Sequence, residues 1–257
     1  MELWTAEHAK TLIPAVAVMI VIAGILRAVL KKDENIRMIP IQILTCILLV
    51  LEVGKQVLSL VQGYDLYCLP FHYCSLFLYV MPVMSFYKGK HRHAVFTVST
   101  ALCASVFLLM LIYPALIYGA GNIQNFFNGY FDFHTVAFHN IVMFIFVLIV
   151  ALDIHVPAPK GDSKPIIIFV LCFCAVSASM AHILKTNYAN YYSCNVPVLE
   201  ELRLTVQGLI GAIPTKLIYI SILSALNVGF TLMSYQLYRF LRYATQKLTR
   251  SSNVTAK

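Results

Sequence analysis

The sequence has 257 residues and a formal charge of +8, and 60% of its residues are hydrophobic while only 12% are charged. A soluble domain carries about 25% charged residues, so this composition excludes an ordinary soluble enzyme and predicts a multi-pass membrane protein. No basic stripe with interleaved aromatic residues is present, so no nucleic-acid partner is predicted.

Seven apolar runs are long enough to cross a bilayer as helices, which takes about 20 residues each. The predicted fold class is all-α, a polytopic seven-transmembrane-helix bundle. Residues 1–240 are predicted to form the transmembrane domain and residues 241–257 a basic cytoplasmic tail. The first run lacks the basic start and cleavage site of a signal peptide, so it is predicted to be retained. The predicted spans are Thr11–Leu30, Met38–Leu60, Leu69–Tyr87, Val95–Tyr118, Phe133–Ile154, Pro165–Leu184 and Leu209–Leu237.

Basic residues gather in alternate connections, and cytoplasmic loops are the ones that carry excess Lys and Arg. The connections after spans two and four have none, and a long polar connection, 185–208, balances two basic residues against Glu200 and Glu201. The pattern predicts an outside N-terminus, a cytoplasmic C-terminus and a cell-membrane location, the plasma membrane in a bacterium. The basic residues are Arg27, Lys31, Lys32, Arg37, Lys88, Lys90, Arg92, Lys160, Lys164, Arg239, Arg242, Lys247 and Arg250.

Polar side chains from five segments are predicted to meet in the outer half of the bundle. A titratable group inside an apolar segment is costly to bury, so it needs a partner or a function. We interpret the set as an outward-facing polar pocket. Its predicted substrate-binding members are His8, Glu52, Lys55, Gln56, His134, Asn187 and Tyr188, and its predicted catalytic members are His72, Cys74, Ser75 and His139.

Two histidines near a thiol and a hydroxyl suit acyl transfer, because a neutral imidazole can take the proton of a nucleophile near neutral pH. On a helix, residues i and i+3 are neighbours whereas i and i+2 diverge, so Ser75 would face His72 better than Cys74 would. His139 can serve either one. The nucleophile is therefore Cys74, Ser75 or neither.

Other interpretations stay open. Glu52 and Lys55 can form a structural ion pair, or part of the polar pathway of a transporter or lipid-binding protein without catalysis. A metal site made of His72, His134, His139 and Glu52 is the competing chemistry, but no spacing such as HExxH supports it, and no metal or cofactor is predicted. The seven cysteines form no CxxC pair, and a Cys68–Cys194 disulfide is conceivable near the outer surface.

Four short stretches carry a resemblance to a known family. They are Glu7-His8, the run Leu69–Cys74 that opens span three, Phe138-His139 in span five, and Thr186–Tyr188 after span six. In this order and spacing the chain resembles, over nearly its whole length, the bacterial YwaF family of integral membrane proteins, which is related to the eukaryotic transmembrane-protein-164 acyltransferases.

The resemblance implies a seven-span helical bundle and membrane lipids as partners. Through the eukaryotic branch it implies transfer of fatty acyl groups between phospholipids by a cysteine acyl-enzyme with histidine assistance, and that branch is similar to membrane hydrolases with a Thr–His pair. His72 matches the span-three histidine and His139 the span-five histidine. In the eukaryotic pattern a cysteine directly precedes the span-three histidine, but Phe71 stands there in this chain. Cys74 would have to take its place.

Overall fold

The chain folds into helices joined by short connections. The structure is a computed structural model that describes residues 4–30, 33–118 and 121–255, with side chains described up to residue 244. Lys31, Lys32, the side chains of Lys247 and Arg250, and the end of the predicted tail lie outside this part. The described α-helices are α1 (Ala6–Val29), α2 (Glu34–Val61), α3 (Phe77–Phe86), α4 (Arg92–Ile112), α5 (Pro114–Tyr118), α6 (Tyr130–Ala151), α7 (Ser163–Leu184), α8 (Pro197–Ile210) and α9 (Ala212–Thr255).

The all-α membrane fold is confirmed. Among the described residues, six helices (α1, α2, α4, α6, α7 and α9) are long and apolar enough to cross a bilayer. The third predicted span is shorter, an apolar helical segment over Tyr73–Phe86. At 1.5 Å per residue it covers only about 20 Å, less than the hydrocarbon thickness of about 30 Å. Which end of the bundle faces the cytoplasm stays a prediction.

Helix α3 begins later than the Leu69 start that was predicted. Pro70 disfavours a helical conformation at the residue before it, and Leu69 is extended (φ −61°, ψ 144°). A 3₁₀ turn over Tyr73–Leu76 then leads into α3, with His72 as the extended residue before that turn. His72 is thus outside the helix, and the helical spacing that favoured Ser75 as its neighbour does not apply.

Helices α4 and α6 form the centre of the bundle. In the apolar windows of α4 and α6, 67% and 61% of the residues are buried, against 17% for α1 and 11% for α9. Every residue of α4 from Phe96 to Val106 is buried, as expected of a helix that is apolar on all sides. Helix α4 packs against α3, α6, α7 and α9, so the peripheral helices turn their apolar faces outward to lipid.

The predicted polar connection 185–208 contains a helix that the sequence pattern did not reveal. Helix α8 starts with Pro197, a residue favoured in the first turn, and ends before Gly211, whose φ is +89°. No residue of α8 is buried, and the helix packs against α9. Span seven therefore begins at Ala212 rather than Leu209, and α9 continues past the boundary predicted at residue 240.

Candidate functional site

A buried carboxylate on α2 is the centre of the polar residues. The ammonium of Lys55 lies 2.7 Å from Oε1 of Glu52, and Nε2 of His134 lies 3.1 Å from Oε2. Gln56 also donates from Nε2 to Oε1 over 2.7 Å. The side chains of Glu52, Lys55 and His134 are 11%, 14% and 9% exposed. A charge this buried persists only when it is paired and hydrogen-bonded. We call Glu52, Lys55, Gln56 and His134 the Glu52 cluster.

A close approach of α2 and α6 brings His134 to Glu52. The hydroxyl of Tyr130, one turn before His134, donates to the carbonyl of Leu51 over 2.8 Å. A Cβ at Gly54 would lie 2.1 Å from the Tyr130 hydroxyl oxygen. The lack of a side chain at Gly54 therefore lets Tyr130 lie against α2 and fixes the pairing of the two helices.

The connection between α2 and α3 folds onto the cluster. Gln56 donates to the carbonyl of Cys68 over 2.8 Å and accepts a hydrogen bond from the hydroxyl of Tyr64 over 2.9 Å. Nε2 of His72 lies 3.1 Å from the carbonyl of Tyr67. These bonds hold the connection, and His72 with it, beside the end of α2.

His72 and His139 each use one ring nitrogen for a hydrogen bond to a backbone carbonyl. Nδ1 of His139 lies 2.6 Å from the carbonyl of Thr135, one turn earlier on α6. A carbonyl oxygen only accepts, so His139 carries its proton on Nδ1 and His72 carries its proton on Nε2. When the rings are neutral, Nε2 of His139 and Nδ1 of His72 each carry a lone pair that can accept a proton.

Lys55 connects the Glu52 cluster to the residues predicted to be catalytic. Its ammonium interacts electrostatically with the side chains of His72, Cys74 and His139. Glu52 also interacts electrostatically with Cys74. Residues from α2, from the turn before α3 and from α6 thus surround one buried ion pair, and this arrangement can stabilise a negative charge that develops on a reacting group.

Other predicted site residues lie apart from the Glu52 cluster or reach it indirectly. His8 caps α1 through Thr5 and stacks on Tyr118 at 6.2 Å. Asn187 bonds to Asn195 and to the backbone of the following loop. Tyr188 packs its ring edge-on against His72 at 5.4 Å. Ser75 is buried, and its backbone N–H donates to the carbonyl of His72 over 3.0 Å.

Neither the metal interpretation nor the disulfide is supported by the side-chain positions. Among the described residues, no three His, Cys, Asp or Glu side chains are grouped so that they could hold a metal ion. Cys68 and Cys194 are both free thiols.

A second buried polar group, which the sequence analysis did not identify, lies at the other end of the bundle. Asp162 accepts hydrogen bonds from Nε2 of His93 (2.8 Å) and from the hydroxyl of Tyr235 (2.6 Å). His155 then donates from Nε2 to the Tyr235 oxygen over 3.0 Å, because the only proton of that hydroxyl points to Asp162. Tyr238 donates to the His155 carbonyl. We call these five residues the His155 network.

The His155 network joins α4, the α6–α7 connection and α9. Burial lowers the pKa of His155 to about 4, and the neighbouring His93 and Arg242 act in the same direction. Burial alone would raise the pKa of Asp162, but hydrogen bonds from Tyr235, His93 and the Ala158 backbone outweigh it and hold that pKa below its usual value. The only hint of this network in the sequence was a histidine and an aspartate within one short connection.

The network predicts a loss of stability in mild acid. His155 is 3% exposed and is neutral in the folded protein. Below about pH 6.5 the imidazole therefore binds a proton in the unfolded chain but not in the folded protein. His155 by itself should lower the free energy of unfolding by about 3 kcal/mol as the pH drops from about 6.5 to about 4. Protonation of Asp162 adds a further loss at lower pH. Thermal unfolding in detergent, followed against pH, measures both.

The variant His155→Gln should remove about 3 kcal/mol of the pH dependence between about pH 6.5 and 4. His91→Gln, which changes an exposed histidine of the same end, should keep it. An equal slope in the wild type and His155→Gln would contradict the assignment.

Comparisons with known proteins agree with this architecture. Neither curated proteins nor solved structures give a match. The sequence model of the TMEM164 family matches residues 3–235, which contain every residue of the Glu52 cluster and all of the spans except the end of the last one. The chain therefore belongs to the TMEM164 family.

Proposed function

We propose that this protein transfers fatty acyl groups between membrane phospholipids at the Glu52 cluster, through a covalent intermediate on Cys74. The observation that carries the proposal is the buried Lys55 ammonium, 2.7 Å from Glu52, within electrostatic range of Cys74 and of two imidazoles that are each anchored through one nitrogen and have a free lone pair on the other. A nucleophile, a base and a cation for developing negative charge are the parts that acyl transfer needs.

Cys74 is a better candidate than Ser75 for the nucleophile. Cys74 is partly exposed and interacts electrostatically with both members of the Glu52–Lys55 pair. Ser75 is 6% exposed, and successive residues of a 3₁₀ turn point about 120° apart, since three residues make one turn. The family resemblance implies a cysteine nucleophile at the position that Phe71 occupies, so in this chain Cys74 would supply the thiol from three residues further along.

In the first half-reaction, Nε2 of His139 removes the proton of the Cys74 thiol. The thiolate attacks the ester carbonyl of a phospholipid, and the tetrahedral oxyanion is stabilised by the Lys55 ammonium. The carbon–oxygen ester bond then breaks. The leaving lysophospholipid oxygen takes the proton from the His139 imidazolium, and a thioester remains on Cys74.

In the second half-reaction, a different lysophospholipid binds. His139 removes the proton of its free hydroxyl, the oxygen attacks the thioester carbonyl, and a new ester forms as the carbon–sulfur bond breaks. The sulfur takes the proton back from His139, so the enzyme is restored. Water in place of the lysophospholipid would turn the same steps into hydrolysis. Glu52 takes no proton in this scheme; it holds Lys55 and His134 in place.

The proposal is tested with purified protein in micelles, a phospholipid with a labelled acyl chain, and a lysophospholipid acceptor. We expect label transfer and a protein mass increase of one acyl chain that neutral hydroxylamine removes, as a thioester requires. Cys74→Ala should abolish the mass increase and lower transfer by at least about 10³-fold. Cys46→Ala, which changes an exposed thiol on α2, should leave both unchanged.

Absence of both transfer and hydrolysis in the wild type would overturn the proposed function. Transfer that survives Cys74→Ala but is lost in Ser75→Ala would overturn the assignment of Cys74 and make Ser75 the nucleophile.

A further inference from the structure

A cavity of about 380 Å³ opens at the end of the bundle opposite the Glu52 cluster. It lies between the first turns of α2, the end of α3 and the start of α4. Lys88 and Arg92 line it together with Gln42 and Ser85, and its apolar lining includes Ile39 and Met84. A cavity of this size accommodates a small organic ligand or a lipid headgroup with part of its chain.

The charges at the cavity favour an anion. Lys88 is exposed, and Arg92 forms an ion pair with Glu34 at 2.7 Å. Lys88 and Arg92 thus bring two cations to the cavity, and among the described residues Lys88 forms no ion pair, so its positive charge remains for a ligand. Asp33, the carboxylate that precedes Glu34, accepts a backbone N–H of α2. Arg92 is held between Glu34 and the ring of Phe96, 4.7 Å from its guanidinium carbon, which fixes its position before any ligand arrives.

The cavity is also open towards the bilayer. Ile39 lines it and is 47% exposed, and on the same helix Ile43 is 55% exposed. In a membrane protein such residues face lipid chains. Inside the cavity, Gln42 donates to the carbonyl of Ser85 over 3.0 Å, and the Ser85 hydroxyl lies 2.8 Å from that of Thr45. The polar groups inside the cavity are thus hydrogen-bonded and uncharged, and the positive charges of Lys88 and Arg92 lie at its rim.

We infer that this cavity binds the headgroup of an anionic phospholipid, with Lys88 and Arg92 on the phosphate and an acyl chain along Ile39. Basic pockets between membrane helices bind such headgroups, and the α3–α4 connection is predicted to face the cytoplasm, where anionic lipids are concentrated. Free phosphate has the same headgroup chemistry but has no chain to place along Ile39. The lipid is therefore the occupant that uses both parts of the cavity.

The test is native mass spectrometry of the purified full chain with phosphatidylglycerol, phosphatidylcholine or inorganic phosphate. Phosphatidylglycerol should bind in a one-to-one complex, more tightly than phosphatidylcholine, and inorganic phosphate should not displace it at equal concentration. Lys88→Gln should weaken binding of phosphatidylglycerol by about 10-fold. Glu34→Gln should tighten it, because Arg92 loses its competing partner.

Lys90→Gln is the matched control, since Lys90 is an exposed lysine of the same connection that does not line the cavity. It should change the affinity less than about twofold. Equal weakening by Lys88→Gln and Lys90→Gln would mean a diffuse surface charge and would overturn the site. Equal binding of phosphatidylcholine, or full displacement by inorganic phosphate, would overturn the anionic phospholipid as its occupant.

Discussion

Replacement of His139 by alanine is expected to slow acyl exchange by about 10²- to 10⁴-fold, the usual contribution of a general base. The reason is geometric: Nδ1 is bonded to the Thr135 carbonyl, so Nε2 is the nitrogen free to take the proton of Cys74. The loss should appear in kcat with little change in KM, because the imidazole acts on the reacting thiol and not on lipid binding. Initial rates of label transfer over a range of phospholipid concentrations measure it.

His182→Ala provides the matched control for His139→Ala. His182 lies at the end of α7 and interacts electrostatically with Lys216 and Arg203 rather than with Lys55. Its replacement should keep kcat within about twofold, as expected of a histidine outside the reacting groups. If His139→Ala keeps more than a tenth of the wild-type rate while His72→Ala or His134→Ala does not, the base is one of those two histidines and our assignment is wrong.

Replacement of Glu52 by leucine should destabilise the protein by about 3–5 kcal/mol, the cost of breaking a buried ion pair from one side. The Lys55 ammonium, 14% exposed, would lose its counter-ion, and His134 and Gln56 would each lose an acceptor. The midpoint of denaturant or thermal unfolding in detergent measures the change. The double variant Glu52→Leu/Lys55→Leu should recover much of the loss, since it leaves no unpaired charge.

The chain supplies a matched control for this experiment on α1. Glu7 and Lys10 have the same i, i+3 spacing as Glu52 and Lys55, but the Lys10 and Glu7 side chains are 72% and 45% exposed. Glu7→Leu should therefore cost less than about 1 kcal/mol. If Glu7→Leu and Glu52→Leu lower the free energy of unfolding by similar amounts, burial of the Glu52–Lys55 ion pair does not explain its contribution to stability.

Local patterns predicted much of the fold and part of the site. The spans follow from hydropathy, because a bilayer-crossing helix needs a long apolar run wherever it lies in the chain. The contacts of Glu52 with Lys55 and Gln56 follow from spacing on one helix. Helix α8 was missed, since its apolar residues alternate with Glu200, Glu201 and Arg203 in a stretch that reads as polar.

The contact of His134 with Glu52 could not be derived from spacing, because 82 residues separate them. It depends on how closely α2 and α6 approach, which Gly54 and Tyr130 decide. The His155 network could not be predicted from spacing either, because Asp162 is hydrogen-bonded to His93 on α4 and to Tyr235 on α9, which are distant in the sequence. Taken one at a time, the five residues of the network are typical of an ordinary loop or helix.

The membrane environment, the helical class and the set of polar residues that need partners all follow from the amino-acid sequence, because they depend on composition and local periodicity. The position of His72, by contrast, depends on contacts between distant parts of the chain. The Ser177 hydroxyl on α7 donates to the Phe71 carbonyl over 2.8 Å, and Tyr188 donates to the Leu66 carbonyl. These long-range bonds satisfy the backbone of a non-helical segment at the membrane, where an unpaired carbonyl is costly. They hold His72 in an extended conformation and Cys74 in the 3₁₀ turn that follows it, outside a regular α-helix.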